Sequence, residues 1–215
     1  IIHNMRCSRL GQTYIVYLPT FSSFQFKEEI PEEKIMSIDL GINIFGTCIS
    51  PDFEWCEIGL GVKHKLASLY RKQKKISERP DMTIREKKKC IQKWNDKIFN
   101  LVNDLHWKTI HWLLKRYGKI LISRLYVRKA NKQVKRYAND LRHCQFVDRL
   151  EYKSMFYKGR EIHEGKEHYT SSTCTVCGSM NIIKGKTLKC RSCEFEMHRD
   201  LAGARNFLIK HSKLN

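Results

Sequence analysis

The sequence predicts an α/β fold, a mixed sheet flanked by helices, with a small cysteine-held insertion near its end. Three observations carry this expectation. Short apolar runs punctuated by Gly and Pro, as in "EEKIMSIDLGINIFGTCISPDFEWCEIG", read as successive strands. A long stretch of helical periodicity then separates them from a further apolar run, "KILISRLYV". Two Cys-x-x-Cys pairs fall between a late strand candidate and a terminal helix candidate.

At 215 residues the chain can bury one substantial core and one small satellite module. Forty-one Lys and Arg stand against 22 Asp and Glu, a formal charge of +19. A field of that sign points to a polyanionic partner, nucleic acid first and an anionic membrane surface second. No apolar run approaches the roughly 20 residues a membrane span needs. The opening "IIHNMRCSRL" lacks the apolar region and cleavage site of a secretory signal, so an intracellular protein is expected. Because the chain opens on Ile1 and reads at once as strand and turn, it is expected to begin inside something longer.

Taken in order, "QTYIVYLPTF" alternates like a half-buried strand and is expected to complete a β-rich module over residues 1–30. The next strand delivers Asp39, turns at Gly41, and begins a three-strand meander. Residues 62–97 are helical in composition, with thirteen Lys and Arg against four acids, and Pro80 divides them into two arms. The second arm runs on to a stop at Gly118, with Trp94, Ile98, Leu101, Leu105, Ile110 and Leu113 at helical spacing. Trp94, Trp107, Trp112 and Tyr117 on this helix read as core rather than stacking platforms, and His106 and His111 have no role beyond structure. Residues 128–159 read as one polar helix whose apolar face holds Leu141, Phe146, Leu150 and Met155. "REIHEGKEHYTS" is a strand candidate, and a last helix restarts near Asp200.

Cys174, Cys177, Cys190 and Cys193 form two Cys-x-x-Cys pairs separated by a gap that a hairpin can fill. Each such turn presents two sulfurs to one point, so the four thiolates predict a tetrahedral, structural Zn²⁺ site. Cys7, Cys48, Cys56, Cys90 and Cys144 are scattered and read as small buried hydrophobes. Asp39 at a strand end could simply make a turn, and Asp200 at a helix start could simply cap it. Together, two carboxylates distant in sequence can converge on divalent metals in a two-metal phosphodiesterase site.

A meander with an Asp on its first strand, then helix, strand, helix and a late Asp, is the order of an RNase H-like nuclease domain. "SIDLGIN" resembles the first RuvC motif, and "TSSTCTVCGS" with "KTLKCRSCEFEMHRDLAGARNFL" is similar to the zinc ribbon and third RuvC motif of the TnpB family. "LVNDLHWKTIHWLLKRYGKILISR" looks most like Fanzor, the eukaryotic and viral relatives of TnpB. The resemblance covers roughly residues 31–212. It implies a RuvC-like core over 31–170 containing the basic helical segment 62–117, a ribbon over 171–195, and the last motif and helix over 196–215. Residues 1–30 would end an upstream wedge-like module. The implied function is the nuclease half of a transposon-associated RNA-guided DNA endonuclease, with guide RNA and target DNA as partners and no membrane. The implied place is the nucleus for a eukaryote or its virus, otherwise the cytoplasm. Lys72, Lys74, Lys75, Lys87, Lys88 and Lys89 would then contact phosphates, which grips a backbone without reading bases.

The family usually ends the "KILIS" strand in a glutamate, the third metal-binding carboxylate, and Ser123 stands here, followed by Arg124. Some relatives carry a relocated glutamate before the ribbon, and Glu167 of "GKEHYTSSTC" lies in register with it. That gives Asp39, Glu167 and Asp200 as ligands of two catalytic Mg²⁺ ions, with the Glu167 strand beside the Asp39 strand. Glu161 and Glu164 are the alternatives to Glu167. The rival readings are a nuclease-dead RNA- or DNA-binding relative that keeps fold and zinc, and a transcription-factor-like ribbon module.

Overall fold

The computed structural model describes residues 6–10, 13–17, 34–123, 125, 131–165, 172–182 and 185–212. Strands β1 (Arg6–Leu10) and β2 (Thr13–Tyr17) form an antiparallel hairpin that pairs only with itself among the described residues. The main sheet has five strands: β3 (Ile35–Leu40), β4 (Gly46–Ile49), β5 (Trp55–Ile58), β6 (Lys119–Ser123) and β7 (Glu161–Gly165). Their spatial order is β5-β4-β3-β6-β7, with β4 antiparallel to both neighbours and β3, β6 and β7 mutually parallel. The predicted meander and RNase H-like order are therefore present.

Burial decides which strands take the middle. β3 (IMSIDL) and β6 (KILIS) are buried on both faces, as central parallel strands must be, while β7 (EIHEG) exposes its glutamates and takes the edge. One sequence expectation is corrected here. The strand leading toward Glu167 runs beside β6, not beside the Asp39 strand, because the more apolar β6 occupies that slot.

Two basic helices, α1 (Val62–Ser77) and α2 (Ile84–Arg116), pack as a hairpin divided at Pro80 as expected. Thr83 starts α2 with a capping box: its hydroxyl accepts from the Glu86 N–H, and the Glu86 carboxylate accepts from the Thr83 N–H at 2.9 Å. The stretch predicted as one helix is instead two, α3 (Lys132–Leu141) and α4 (His143–Ser154). Arg142 breaks it with a left-handed backbone at φ 50°, held there by a guanidinium that stacks on Phe99 and donates to the Phe99 carbonyl. The break re-aims the chain, and Met155 is 61% exposed rather than on the apolar face.

One face of the sheet (Met36, Ile38, Leu40, Ile120, Ile122) packs against α1, α2, α3 and α4 in the main core. The other face is covered by the last helix, α5 (Arg199–His211), through Ile49, Leu121, Ala204 and Phe207. Between β7 and α5 lies the cysteine module with its short hairpin, β8 (Thr187–Lys189) and β9 (Glu196–His198). Of the tryptophans, Trp112 packs against the core, while Trp107 is 42% exposed beneath the Arg149 guanidinium. The expectation that the five remaining cysteines are buried holds for Cys48 alone. Cys56 and Cys90 are half-buried, and Cys7 and Cys144 are exposed. Among the described residues no helix is long and apolar enough to cross a membrane.

Candidate functional site

Alternation along β3 sends Met36, Ile38 and Leu40 to the main core and Ser37 and Asp39 to the α5 side. The Ser37 hydroxyl donates to the Ala204 carbonyl at 2.9 Å, fixing the helix on the strand. Two residues on, Asp39 ends the same row. Asp200 lies in the first turn of α5, where the positive end of the helix dipole favours a carboxylate. It does not cap the helix, since His198 occupies the cap and makes no side-chain cap bond. One turn later, a Cβ added at Gly203 would lie 2.8 Å from the Asp39 Oδ2, so the Asp39 carboxylate rests against the backbone of α5.

The two aspartates thus meet on one cleft of about 450 Å³, which Asn43, Thr47, Leu125 and Arg199 also line. The Arg199 guanidinium sits 3.3 Å from the Asp200 Oδ1 and partly neutralises it. Ser123 joins the pair from β6. Fully buried, it donates to the Asp39 Oδ1 at 3.2 Å and accepts from the Leu40 N–H at 3.1 Å. The position read from the sequence as the lost carboxylate is therefore spatially the one next to Asp39, and its hydroxyl orients that aspartate.

Glu167 lies outside the described residues. Up to Gly165 the β7 register is regular, Gly165 pairing with Ser123 and Glu164 with Ile122, so no bulge interrupts the described strand. Gly165 is required where it stands, since a Cβ would come 2.7 Å from the Phe207 ring and 2.8 Å from that of His211. Of the alternative glutamates, Glu161 sits at the opposite end of β7, hydrogen-bonded to His163 at 3.1 Å and 3.7 Å from the Lys119 ammonium. His163 and Lys119 hold its carboxyl below the usual range. Glu164 pairs opposite Ile122, whose side chain enters the main core, and so belongs to the other face from Asp39.

Cys174, Cys177, Cys190 and Cys193 place their sulfurs within 4.8 Å of one another, a fit for one tetrahedral Zn²⁺. Both knuckles have the same internal wiring. The Val176 N–H donates to the Cys174 Sγ at 3.4 Å, and the Ser192 N–H donates to the Cys190 Sγ at 3.4 Å. The Ser179 hydroxyl, 3.1 Å from the Cys190 Sγ, holds that thiol down at about 5, which favours the thiolate a metal needs. α5 ties the module to the sheet: Asn206 donates to the Thr173 carbonyl at 2.7 Å and Arg205 to the Thr175 hydroxyl at 3.0 Å.

The six lysines singled out in the sequence cluster where the α1–α2 hairpin closes. Lys72 and Lys97 flank the Trp94 ring at 4.9 and 4.6 Å, and Lys74 pairs with Glu78. Lys75, Lys88 and Lys89 are exposed and Lys87 is half-buried. Nothing in the sequence singles out His143, yet its Nε2–H donates to the Gly41 carbonyl at 2.9 Å and its ring stacks on Phe45, bracing the turn after Asp39 from α4. His106 is fully buried beside it, bonded to the Leu141 carbonyl. Neither contact has a sequence signal, since a lone histidine in a helix announces no partner. Gly203 could have been suspected only from its position three residues after Asp200.

A Cas12f1-like TNB domain matches residues 143–207. Three TnpB-like proteins of Acanthamoeba polyphaga mimivirus are each 29% identical over 214 residues, covering 91% of this chain and 40% of the relative. The chain thus spans about two fifths of the length of these relatives. Among solved structures, the Cas12f1-sgRNA-target DNA complex superposes with a TM-score of 0.59 at 18% identity, covering 94% of this chain and 55% of that one. A second structure, a CRISPR-Cas12f ternary complex, gives 0.61 at 18% identity over 90% and 41%. These likenesses extend the fold assignment to the Cas12f-like form. The OrfB_IS605 family, described as a probable transposase, matches residues 21–134, just over half of the chain, and with the TnpB-like relatives this makes the chain a member of the OrfB/TnpB-like family.

Proposed function

We propose that this chain is the nuclease half of a transposon-associated, RNA-guided DNA endonuclease, with Asp39, Glu167 and Asp200 as the ligands of its divalent metals. The observation that carries the reading is the meeting of Asp39 and Asp200, from opposite ends of the chain, on one cleft at the C-terminal edge of the parallel strands. Alternation continued past Gly165 would put Glu167 on the face that holds Asp39 and Ser123. Bound there, a Mg²⁺ pair would supply an activated hydroxide and neutralise the leaving oxygen of the scissile phosphodiester. The chain's own part is positional. Ser123 and the Gly203 backbone fix the Asp39 carboxylate, the α5 N-terminus presents Asp200, and the basic hairpin and Arg199 supply positive charge for phosphates. Guide RNA and target DNA are the proposed partners, the Fanzor-like pattern of the sequence is part of the proposal, and the four thiolates would carry a structural Zn²⁺.

In the full-length protein, Asp39→Ala or Asp200→Ala should abolish Mg²⁺-dependent DNA cleavage while RNA binding persists. Undiminished cleavage by either variant removes the mechanism. The buried Ser123 beside Asp39 favours a second reading, a relative that binds RNA or DNA without cutting. Unaltered full-length protein that binds guide RNA and target but leaves the DNA intact would establish it.

A further inference from the structure

Two cysteines outside the ribbon face each other across adjacent strands. Cys48 of β4 and Cys56 of β5 are direct partners in an antiparallel pair. Both lie on the main-core face: Cys48 is a member of the buried cluster, and Cys56 packs against it. Directly opposed residues in an antiparallel ladder have Cα atoms about 4.5 or 5.5 Å apart, and both separations fall inside the roughly 4.4–6.8 Å that a disulfide spans. Bond formation therefore needs side-chain rotation and no slip of the strands.

The two sulfurs are not equivalent. Cys48 is fully buried, and Cys56 is half-exposed on the sheet's edge strand. The neighbouring Cys56 thiol and burial push the Cys48 thiol up, whereas the neighbouring Cys48 thiol and the Arg116 guanidinium pull the Cys56 thiol down. An accessible thiol next to a sheltered one is the arrangement of an attacking and a resolving cysteine.

We propose that Cys48 and Cys56 form a reversible cross-strand disulfide, a redox-responsive staple between β4 and the edge strand β5. The oxidant class is a hydroperoxide. The Cys56 thiolate attacks a peroxide oxygen, the O–O bond breaks, and the Cys56 sulfenic acid forms while hydroxide takes up a proton and leaves as water. The Cys48 sulfur then attacks the Cys56 sulfur, the S–O bond breaks, and hydroxide departs with the Cys48 proton as a second water. Hydrogen peroxide is thereby reduced and the two thiols oxidised, and a dithiol reverses the bond by exchange. β4 is also the partner of β3, with Thr47 opposite Asp39, so the staple stiffens the strand against which Asp39 is registered. It needs neither the carboxylate cleft nor the ribbon, and stands independently of the nuclease reading.

The test is a hydrogen peroxide titration of the whole 215-residue chain, loaded with zinc and freed of reductant. Remaining thiols are then blocked with N-ethylmaleimide, and the unreduced digest is read by mass spectrometry. The expected product is one linked peptide pair joining Cys48 to Cys56, reversed by dithiothreitol, at peroxide doses that release no zinc to a chromophoric chelator. The unfolding temperature should rise on oxidation in the wild type and not in Cys56→Ser. In Cys48→Ala, Cys56 should stop at a sulfenic acid that dimedone traps, a readout that stands even where the serine variant folds poorly. Zinc release with Cys48 and Cys56 still alkylated, oxidation of Cys56 to a sulfinic acid without linkage, or linkage to a different cysteine would each overturn the proposal.

Discussion

The cysteine ribbon and the carboxylate cleft share one helix, α5, yet they are built in opposite ways. The ribbon's four sulfurs are placed by turns within each knuckle, such as the Cys174 N–H to Ser179 carbonyl bond and its counterpart from Cys190 to Phe195. The cleft's Asp39, Ser123 and Asp200 come from β3, β6 and α5 and meet only because the sheet pairs and the helix packs. One region is a local object whose four thiols a metal would close. The other is a product of the whole fold and needs none to exist.

Withdrawing zinc should break that comparison most visibly. The ribbon buries few apolar side chains of its own, Leu188 among them, and structural Zn²⁺ contributes about 10–16 kcal/mol in small zinc modules. Chelation should therefore unfold residues 172–198 and loosen the Arg205 and Asn206 tethers, while β3 and β6 keep their protection in hydrogen exchange. Simultaneous loss of protection across the main sheet would show instead that the two regions form one cooperative unit.

Acid should act on the core through its histidines. Burial pushes His106 down from 6.5 to about 3 and His143 to about 4. The neutral His106 donates from Nε2 to the Leu141 carbonyl and accepts from Arg149 at Nδ1, a pattern a second ring proton would destroy. Because both folded values lie below the unfolded one, the unfolded chain binds the protons first. Their contribution is complete above pH 6.5 and is lost as pH falls toward 4, on the order of a few kcal/mol between them. Urea unfolding across that range should show the loss, and His143→Phe should flatten it. An unchanged slope in that variant would assign the acid sensitivity to His106 or to groups outside this pair.

Ser123 tests the cleft with a smaller step. Ser123→Ala leaves the Leu40 N–H without its acceptor and should cost about 1–3 kcal/mol in thermal or urea unfolding. Ser123→Glu sets a carboxylate beside Asp39 and should unfold more easily in chelator, then recover in Mn²⁺ as the metal offsets the repulsion. Equal unfolding temperatures with and without Mn²⁺ would argue against a metal site built on Asp39.

The same contrast explains what the sequence could disclose. The ribbon was legible from spacing alone, since Cys-x-x-Cys turns are short and self-contained. The meander and the succession of elements along the chain followed from apolar runs and the RNase H-like pattern. Three things were not legible. The slot of β7 depends on a competition with β6 for the buried position next to β3, which no single strand's sequence expresses. The break at Arg142 arises from the Phe99 contact, over forty residues away in the chain. Gly203 reads as an ordinary helical glycine until the strand that needs its missing side chain is laid against it.

The finest test lies inside the ribbon, between its two knuckles. Gly178 and Glu194 each follow the second cysteine of their pair and adopt the same left-handed backbone, φ 74° and 58°. The first knuckle uses the residue suited to that conformation and the second does not. Gly178 has open space where a Cβ would stand, so Gly178→Ala should cost the conformational strain alone, about 1–2 kcal/mol. Glu194→Gly relieves the same strain but frees the unfolded chain, so its net gain should be smaller, about 0.5–1 kcal/mol. Both should register as shifts in the chelator concentration at which the zinc-loaded ribbon unfolds. If Glu194→Gly weakened the ribbon, the glutamate side chain rather than the turn would be setting the second knuckle, and the two knuckles would not be equivalent despite their matching N–H to sulfur bonds.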